Sequence, residues 1–304
     1  MVSMDEPIRI IAGVWDNQFV DLVSSAQDRL VLCSPYVSQD GAETVARART
    51  GKAQIGIRSF ILTDLSPRAV CAGATDPDAV MNVANSLAGG RVVHLPRLHA
   101  KVYVADGQTA VVTSGNLTSG GLGRNYEYGV LIRDCAMASS IEADMLEYAG
   151  LGAEMHETTL AKYCQAAADA RKAYREHVAS TSRTIQRRLA SALRAADESL
   201  IRARLAGGAM HTVFAKTVMY LLHRHGPLTT KQQHPLVQRL HPDLCDDSVD
   251  RVIDGKHFGK KWKHAVRTAQ QALKKQGRIE QRGDLWYAMD APSTPFRAPN
   301  TIAV

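Results

Sequence analysis

The chain reads as an α/β sandwich, then a helical connector, then a small domain of helices closed by a β-hairpin. Three observations carry this. Strand-like and helix-like patterns alternate through the first 150 residues, which implies a layered α/β architecture. Residues 155–206 hold little glycine or proline and much Ala, Leu, Arg and Gln, the composition of one or two long helices. Residues 209–290 carry three helical segments and end in two short alternating arms around Gly283.

In chain order, residues 16–26 read as a helix and RLVLCSPYV (29–37) as a buried strand with a turn. Residues 38–50 look helical, and QIGIRSFILTD (54–64) is a second strand. DPDAVMNVANSLAGG (76–90) has an Asp cap at one end and glycines at the other, so it reads as a bounded helix. RVVHL, HAKVYVA, AVVTS and EYGVLI supply further strands, and ASSIEADMLEYAG (138–150) closes the domain as a helix. Gly207-Gly208 marks the expected boundary, giving domains at 1–150 and 209–290, a linker at 151–208 and a Pro-rich tail at 291–304.

Candidate chemistry is concentrated in residues 98–132. In HAKVYVA, read as a strand, His99, Lys101 and Tyr103 share one face while Val102 and Val104 point into a core. An imidazole and an ammonium at i, i+2 converge on one phosphate. The first can act as nucleophile or proton carrier, and the second stabilises charge building on phosphoryl oxygens. AVVTS delivers Ser114 and Asn116 as hydroxyl and amide donors, and TSGGLG follows as a glycine-rich loop. Glu127, opening the next strand, is placed to hydrogen-bond the imidazole and fix its tautomer.

These residues resemble the phospholipase D superfamily, whose signature H-x-K-x4-D-x6-[GT]-S-x-N reads here as His99, Lys101, Asp106, Thr113, Ser114 and Asn116, with Glu127 where members also carry an acid. At roughly one chance in twenty per position, five fixed positions coincide by accident about once in a few million windows. Thr113 stands where glycine is usual, and Asp106-Gly107 is also what a hairpin turn requires, so turn and site roles both stand for Asp106. SPYV after a buried strand also looks like the early strand of nucleases of this type. The resemblance implies a phospholipase D-like α/β/α sandwich and a two-step phosphoryl transfer. One histidine attacks phosphorus to form a phosphohistidine, a second protonates the leaving oxygen, and neither cofactor nor metal takes part.

None of the other ten histidines has lysine two positions on, so the motif occurs once. Resemblance to single-motif members therefore implies a homodimer with two His99 residues facing across a twofold axis. Their protonations are coupled, and a bell-shaped pH dependence follows.

Composition narrows the partners. Without a run of about 18 apolar residues or a leader-like N-terminus, neither a membrane span nor secretion is expected. Five scattered cysteines without a C-x-x-C pair fit a reducing cytoplasm. Residues 1–150 hold 12 Lys+Arg and 16 Asp+Glu, net −4, whereas the remainder holds 25 and 14, net +11. Affinity for a polyanion is thus expected in the C-terminal half.

In residues 209–290, helices at 210–226, 227–242 and 261–277 precede the hairpin RIEQRGDLWYAM, while DDSVDRVIDGKHFGKK (246–261) reads as a loop or short helix. Three helices then a hairpin is the winged-helix order. The stretch resembles winged-helix domains attached to restriction enzymes in LTTKQ, W-K-x-x-V-R-x-A-x-x-x-L-K-K-x-G-x-I and G-x-L-W. In that arrangement the last helix enters the major groove. Lys260, Lys261, Lys263, His264, Arg267 and Lys274 are its candidate DNA contacts, with Arg282 near the wing tip. The combined expectation is a metal-independent, homodimeric DNA endonuclease of restriction or anti-phage defence, for which a methyltransferase or helicase is a candidate partner. The alternatives are a phospholipid phosphodiesterase, and a DNA-binding regulator whose phospholipase D-like domain is inactive and only dimerises it.

Overall fold

The computed structural model describes residues 6–51, 57–178, 183–205 and 208–289. The chain forms two compact units, residues 1–204 and 205–304. The tail at 291–304 and Gly207 lie outside the described residues, as do residues 54–56 of the expected second strand.

The first unit runs β1 (Ile8–Ala12), α1 (Asp16–Ser25), β2 (Arg29–Cys33), α2 (Gln39–Arg49), β3 (Arg58–Thr63), α3 (Pro67–Cys71), α4 (Pro77–Ser86), β4 (Arg91–His94), β5 (Val102–Ala105), β6 (Thr109–Thr113), α5 (Ser119–Gly123), β7 (Tyr128–Ile132), α6 (Cys135–Leu151), β8 (Ala153–Met155), α7 (Glu157–Val178) and α8 (Arg183–Leu205). The strands form one mixed eight-stranded sheet in the order β1-β7-β6-β5-β2-β3-β4-β8. β2, β3 and β4 are parallel to one another, and β5 pairs antiparallel with both β2 and β6.

Alternating side chains serve two cores. Leu30, Leu32 and Tyr103 face one core with Trp15, Phe19, Val45 and Val80, while Val31, Cys33, Val102 and Val104 face the other with Ala138 and Met145. Strands buried on both faces read as near-continuous apolar runs, as RLVLC and VYVA do. Trp15, Phe19 and Tyr103 pack with centroids 5.2–5.7 Å apart, and such pairs contribute about 0.5–1.5 kcal/mol each beyond burial.

Several expectations require correction. Strand β5 begins only at Val102, so His99 and Lys101 lie on the approach to it, and Tyr103 is fully buried rather than on an open face. Strands β1 and β8, at the two edges of the sheet, were not expected. Of the linker expected at 151–208, the part up to Arg204 belongs instead to the first unit. Its β8 pairs with β4, and Leu160, Tyr163, Ala167, Ala196 and Leu200 join the first core. Arg171 and Arg204 are drawn in with these helices, bonding Thr75 O and Leu151 O. A basic helix reads as solvated until its apolar stripe finds a surface, and here the sheet domain supplies one.

The second unit runs α9 (Met210–His225), β9 (Leu228–Thr229), α10 (Thr230–Leu240), β10 (Asp250–Ile253), β11 (Lys256–Lys260), α11 (Lys261–Lys275), β12 (Ile279–Arg282) and β13 (Leu285–Ala288). A Thr229–Gln232 capping box opens α10. Helix α11 buries Trp262, Val266, Ala269 and Leu273, and β12, β13 and β9 make a three-stranded antiparallel sheet. Buried polar groups link these layers. Trp286 donates to Thr230, Thr230 to Gln270, and Gln270 to Gln233. The stretch 246–261, expected as a loop or short helix, is the β10–β11 hairpin. Its Asp254-Gly255 turn, with φ of 49° and 76°, is the two-residue signal that reading missed.

Asp106 takes a turn role. With φ of 55° it precedes Gly107 between β5 and β6, and its carboxylate accepts from the N–H groups of Gln27, Asp28 and Arg29 at 2.9, 2.8 and 2.7 Å. Asp106→Ala removes three hydrogen bonds to an ionised acceptor, and urea unfolding of the first unit is expected to show a loss of about 2 kcal/mol; an unchanged midpoint would contradict this role. Buried His94 accepts from Leu65 N at 3.0 Å, and burial holds its pKa down at about 3. The unfolded chain therefore takes up this proton as pH falls below about 6.5 while the folded unit does not. Stability of the first unit should drop with pH from about 6.5 towards 3, at no more than about 1.4 kcal/mol per pH unit from this group. In His94→Gln the slope should be shallower, and an equal slope would refute the assignment.

Candidate functional site

The start of β5, the end of β6 and the start of β7 meet at one end of the sheet, because the three strands are successively antiparallel. That geometry assembles the candidate residues. His99 and Lys101 precede β5, Ser114 and Asn116 follow β6, and Glu127 precedes β7. Asp106 lies at the opposite end of β5. Thr113 N donates to Lys101 O at 3.1 Å, extending the β5–β6 ladder up to the site.

His99 is exposed and Lys101 is buried. The Lys101 ammonium donates to His99 O at 2.9 Å and stands 3.3 and 3.2 Å from the ring nitrogens Nδ1 and Nε2. The lone-pair directions of those nitrogens diverge, so one ammonium cannot lie along both. This contact is a cation held against the ring. Burial lowers the lysine pKa, and the charge of Glu127 opposes that shift. Burial pushes the neighbouring Cys33 thiol up to about 12, which keeps it a neutral packing group.

Glu127 does not take the imidazole as its partner. Its Oε2 accepts from Ser114 Oγ and its Oε1 from Asn125 Nδ2 at 3.2 Å. Ser114 Oγ also accepts from Tyr128 N at 3.1 Å, so the hydroxyl is oriented from two sides. Spacing along the chain placed Glu127 at the site but did not reveal that Ser114 and Asn125 are its partners. Asn116 Oδ1 is buried with no hydrogen-bond partner among the described residues, a costly state for a polar atom that is not used in binding.

The donor loop, residues 114–121, is held by groups the motif does not contain. Tyr103 OH donates to Gly115 O at 3.0 Å and Trp15 Nε1 to Gly121 O at 2.6 Å. Leu117 N donates to Ser34 Oγ at 2.9 Å, Ser38 N donates to Leu117 O at 3.0 Å, and Val37 bridges Leu117. The SPYVS segment after β2 is thus the rest of this loop's support. Several contacts at this loop leave no room for a side chain. A Cβ on Gly41 would lie 2.2 Å from Leu117 O, and one on Gly121 would lie 2.4 Å from both Asn116 N and O. The expected glycine-rich loop contains a single helical turn, α5, capped by Thr118 Oγ1 on Gly121 N.

The candidate DNA contacts all fall in the second unit. Lys261, Arg267 and Lys274 are exposed on α11. Lys260 pairs with Asp250 at 2.8 Å, and Lys263 lies over the Trp262 ring. His264 sits between Arg251 and Phe258 O. Arg282 pairs with Glu280 at 2.8 Å and covers Tyr287. Among the described residues no three His, Cys, Asp or Glu side chains gather as metal ligands would, and no helix is long and apolar enough to cross a membrane.

Residues 19–148, which include every candidate catalytic residue, match the family model described as "Cardiolipin synthase, PLD-like domain". This part of the chain is similar to PLD-like domains. Similar solved structures include a phospholipase D family member, Nuc, from Salmonella typhimurium, at 18% identity over 49% of this chain and 99% of that one, with a TM-score of 0.39. NucT from Helicobacter pylori is similar at 13% identity over 46% and 94%, TM-score 0.38. A phosphatidylserine synthase from Haemophilus influenzae is similar at 17% identity over 47% and 36%, TM-score 0.36. No curated protein sequence matches.

Gly121→Ala forces backbone apart beneath Asn116, whereas a Cβ on Gly123 meets nothing within 4 Å. Gly121→Ala is expected to destabilise the first unit by about 1–3 kcal/mol and Gly123→Ala by less than about 0.5 kcal/mol. Equal effects in thermal unfolding would contradict the packing of this loop.

Proposed function

We propose that the first unit is a metal-independent phosphodiesterase that cleaves DNA through a phosphohistidine on His99. One observation carries the reading: an exposed imidazole, a buried ammonium, an amide whose buried Oδ1 lacks a hydrogen-bond partner and an acid-bound serine meet at one end of β5, β6 and β7. In the proposed reaction a ring nitrogen of His99 attacks phosphorus and forms a P–N bond as the P–O bond to the leaving oxygen breaks. That oxygen takes a proton from His99 of the partner subunit. Water then attacks phosphorus, gives its proton to the same histidine, and the P–N bond breaks. The Lys101 ammonium and Asn116 Nδ2 donate to the nonbridging oxygens. Ser114, oriented by Glu127 and Tyr128 N, adds a donor at the rim.

Two histidines require two copies, since the H-x-K motif occurs once. An uncovered apolar strip beside the site supports pairing. Ile8, Ile10, Val112 and Tyr128 lie on one face of β1, β6 and β7, with Ile10 61% and Tyr128 62% exposed, where α6 leaves the sheet open. The proposed C2 pairing brings two such strips together.

The second unit is proposed to be a winged-helix DNA-binding domain, with α11 as recognition helix and the β12–β13 hairpin as wing. Its element order supports this, and so does its charge. Residues 207–290 hold 14 Lys+Arg and 8 Asp+Glu, net +6. Lys263, Arg267 and Lys274 recur at helical spacing on α11, with Lys260 at its N-cap. The likeness of this segment to winged helices of restriction enzymes supports a cytoplasmic defence role, with a methyltransferase or helicase as companion.

The test incubates pure protein with plasmid in excess EDTA, beside His99→Ala and Lys101→Ala. Cleavage should survive EDTA and fall by at least about 10²–10⁴-fold in both variants. Mixed dimers with one His99→Ala subunit should be inactive, and the pH–rate profile should be bell-shaped. A divalent requirement, or full activity in His99→Ala, would refute the mechanism. Because the matched family model is named for cardiolipin synthase, phospholipid vesicles belong in the same assay. Hydrolysis of lipid with the plasmid intact would move the substrate from DNA to phospholipid.

A further inference from the structure

The β10–β11 hairpin has no place in a domain that needs only α11 and the β12–β13 wing. It stands between α10 and α11 as a two-stranded ribbon of its own. Such ribbons are marginal in water unless something holds them. This one is fastened at its base. Asp250 accepts from Lys260 at 2.8 Å and lies 3.1 Å from His257 Nδ1, and Lys261 N donates to Val249 O at 3.0 Å. His264 on α11 donates from Nε2 to Phe258 O and accepts at Nδ1 from Arg251 at 3.2 Å. The ribbon is therefore fixed against the first turn of the proposed recognition helix.

Beyond that base, residues 251–259 are all exposed. The side chains there are not those of an idle surface hairpin. Val252 is 52% and Phe258 48% exposed, and Ile253 is exposed as well. Edge ribbons are normally protected from association by polar residues at such positions. The register sets Ile253 opposite Lys256, and Phe258, two positions on, shares that face. Lys256 makes no ion pair among the described residues, so its ammonium is not committed within the fold. One face thus offers two apolar side chains flanking a cation.

That combination matches duplex DNA, where phosphates take the ammonium and base edges or thymine methyls take apolar groups. The major groove admits a two-stranded ribbon as well as a helix. Charge complementarity favours DNA over a protein partner. From Asp250 to Arg267 the chain carries six Lys+Arg and two Asp. We propose that the β10–β11 ribbon is a second DNA-contacting element beside α11, with Lys256 on a phosphate and Ile253 and Phe258 against base edges. This rests on reading the second unit as a DNA-binding domain.

The experiment measures binding of the full-length protein to a fluorescent duplex across a salt series. It uses wild type, Lys256→Ala, Phe258→Ala and, on the helix, Arg267→Ala. Lys256→Ala should reduce the slope of log K against log salt by about 0.9. Phe258→Ala should weaken binding about tenfold with the slope unchanged. Both positions are exposed, so unfolding temperatures should match wild type, and a double variant Ile253→Ser/Phe258→Ser should repeat the Phe258→Ala loss. Wild-type affinity and slope in both ribbon variants, with Arg267→Ala weakened, would overturn the ribbon proposal and leave the helix assignment standing. If the wild type binds no duplex, the domain reading and the ribbon fall together. If Phe258→Ala changes the sedimentation mass and leaves DNA affinity intact, the ribbon is a protein contact and the proposal is wrong.

Discussion

Residues 114–121 are pressed backbone to backbone against the turn that follows β2. Leu117 exchanges hydrogen bonds with Ser34 and Ser38, Gly41 leaves no space for a methyl group against Leu117 O, and Gly121 leaves none against Asn116. Trp15 and Tyr103 reach the same loop from beneath through single hydrogen bonds. Asn116 is positioned by that contact, while Ser114 is also held by Tyr128 and Glu127. A donor held in place before substrate arrives loses little on binding and stabilises developing charge without reorganising. The aromatic cluster below the loop therefore belongs to function as much as to stability.

Much of this was legible in the chain. Continuous apolar runs such as RLVLC and VYVA marked central strands, since burial on both faces removes polar alternation. The spacing of His99, Lys101, Ser114, Asn116 and Glu127 was enough to place them together, because short connections between antiparallel strands leave few other arrangements. What escaped notice depended on partners far away in sequence. β1 and β8 are short edge strands of 5 and 3 residues, defined by the β7 and β4 they pair with. The attachment of α7 and α8 to the first unit rests on small side chains such as Ala167 and Ala196 meeting a surface that sequence does not display. Glu127 was expected to bond the imidazole, whereas its carboxylate bonds Ser114 and Asn125, as hydrogen-bond partners follow from side-chain geometry and not from spacing. The Asp254-Gly255 turn was readable, and charge on its flanks obscured it.

The two units divide labour in charge as well as in fold. The first 150 residues are net −4, so on the proposed reading a polyanionic substrate is met there by a few placed donors and not by a general field. The second unit is net +6 over residues 207–290 and presents its cations on α11 and the ribbon. On the proposed reading, affinity is supplied by one unit and chemistry by the other. Cleavage then depends on DNA held by a separate unit, a natural point of restraint for a nuclease acting in a cell full of its own DNA.

The most direct measurement is of the covalent intermediate. Protein mixed with substrate labelled on the phosphoryl side is quenched in alkali within the first turnovers, digested and mapped by mass spectrometry. Phosphohistidine survives alkali and is lost in acid, unlike a phosphoserine. The account predicts an acid-labile adduct on His99 that is absent in His99→Ala. Turnover with no adduct, or with an adduct on another residue such as Ser114, would contradict it.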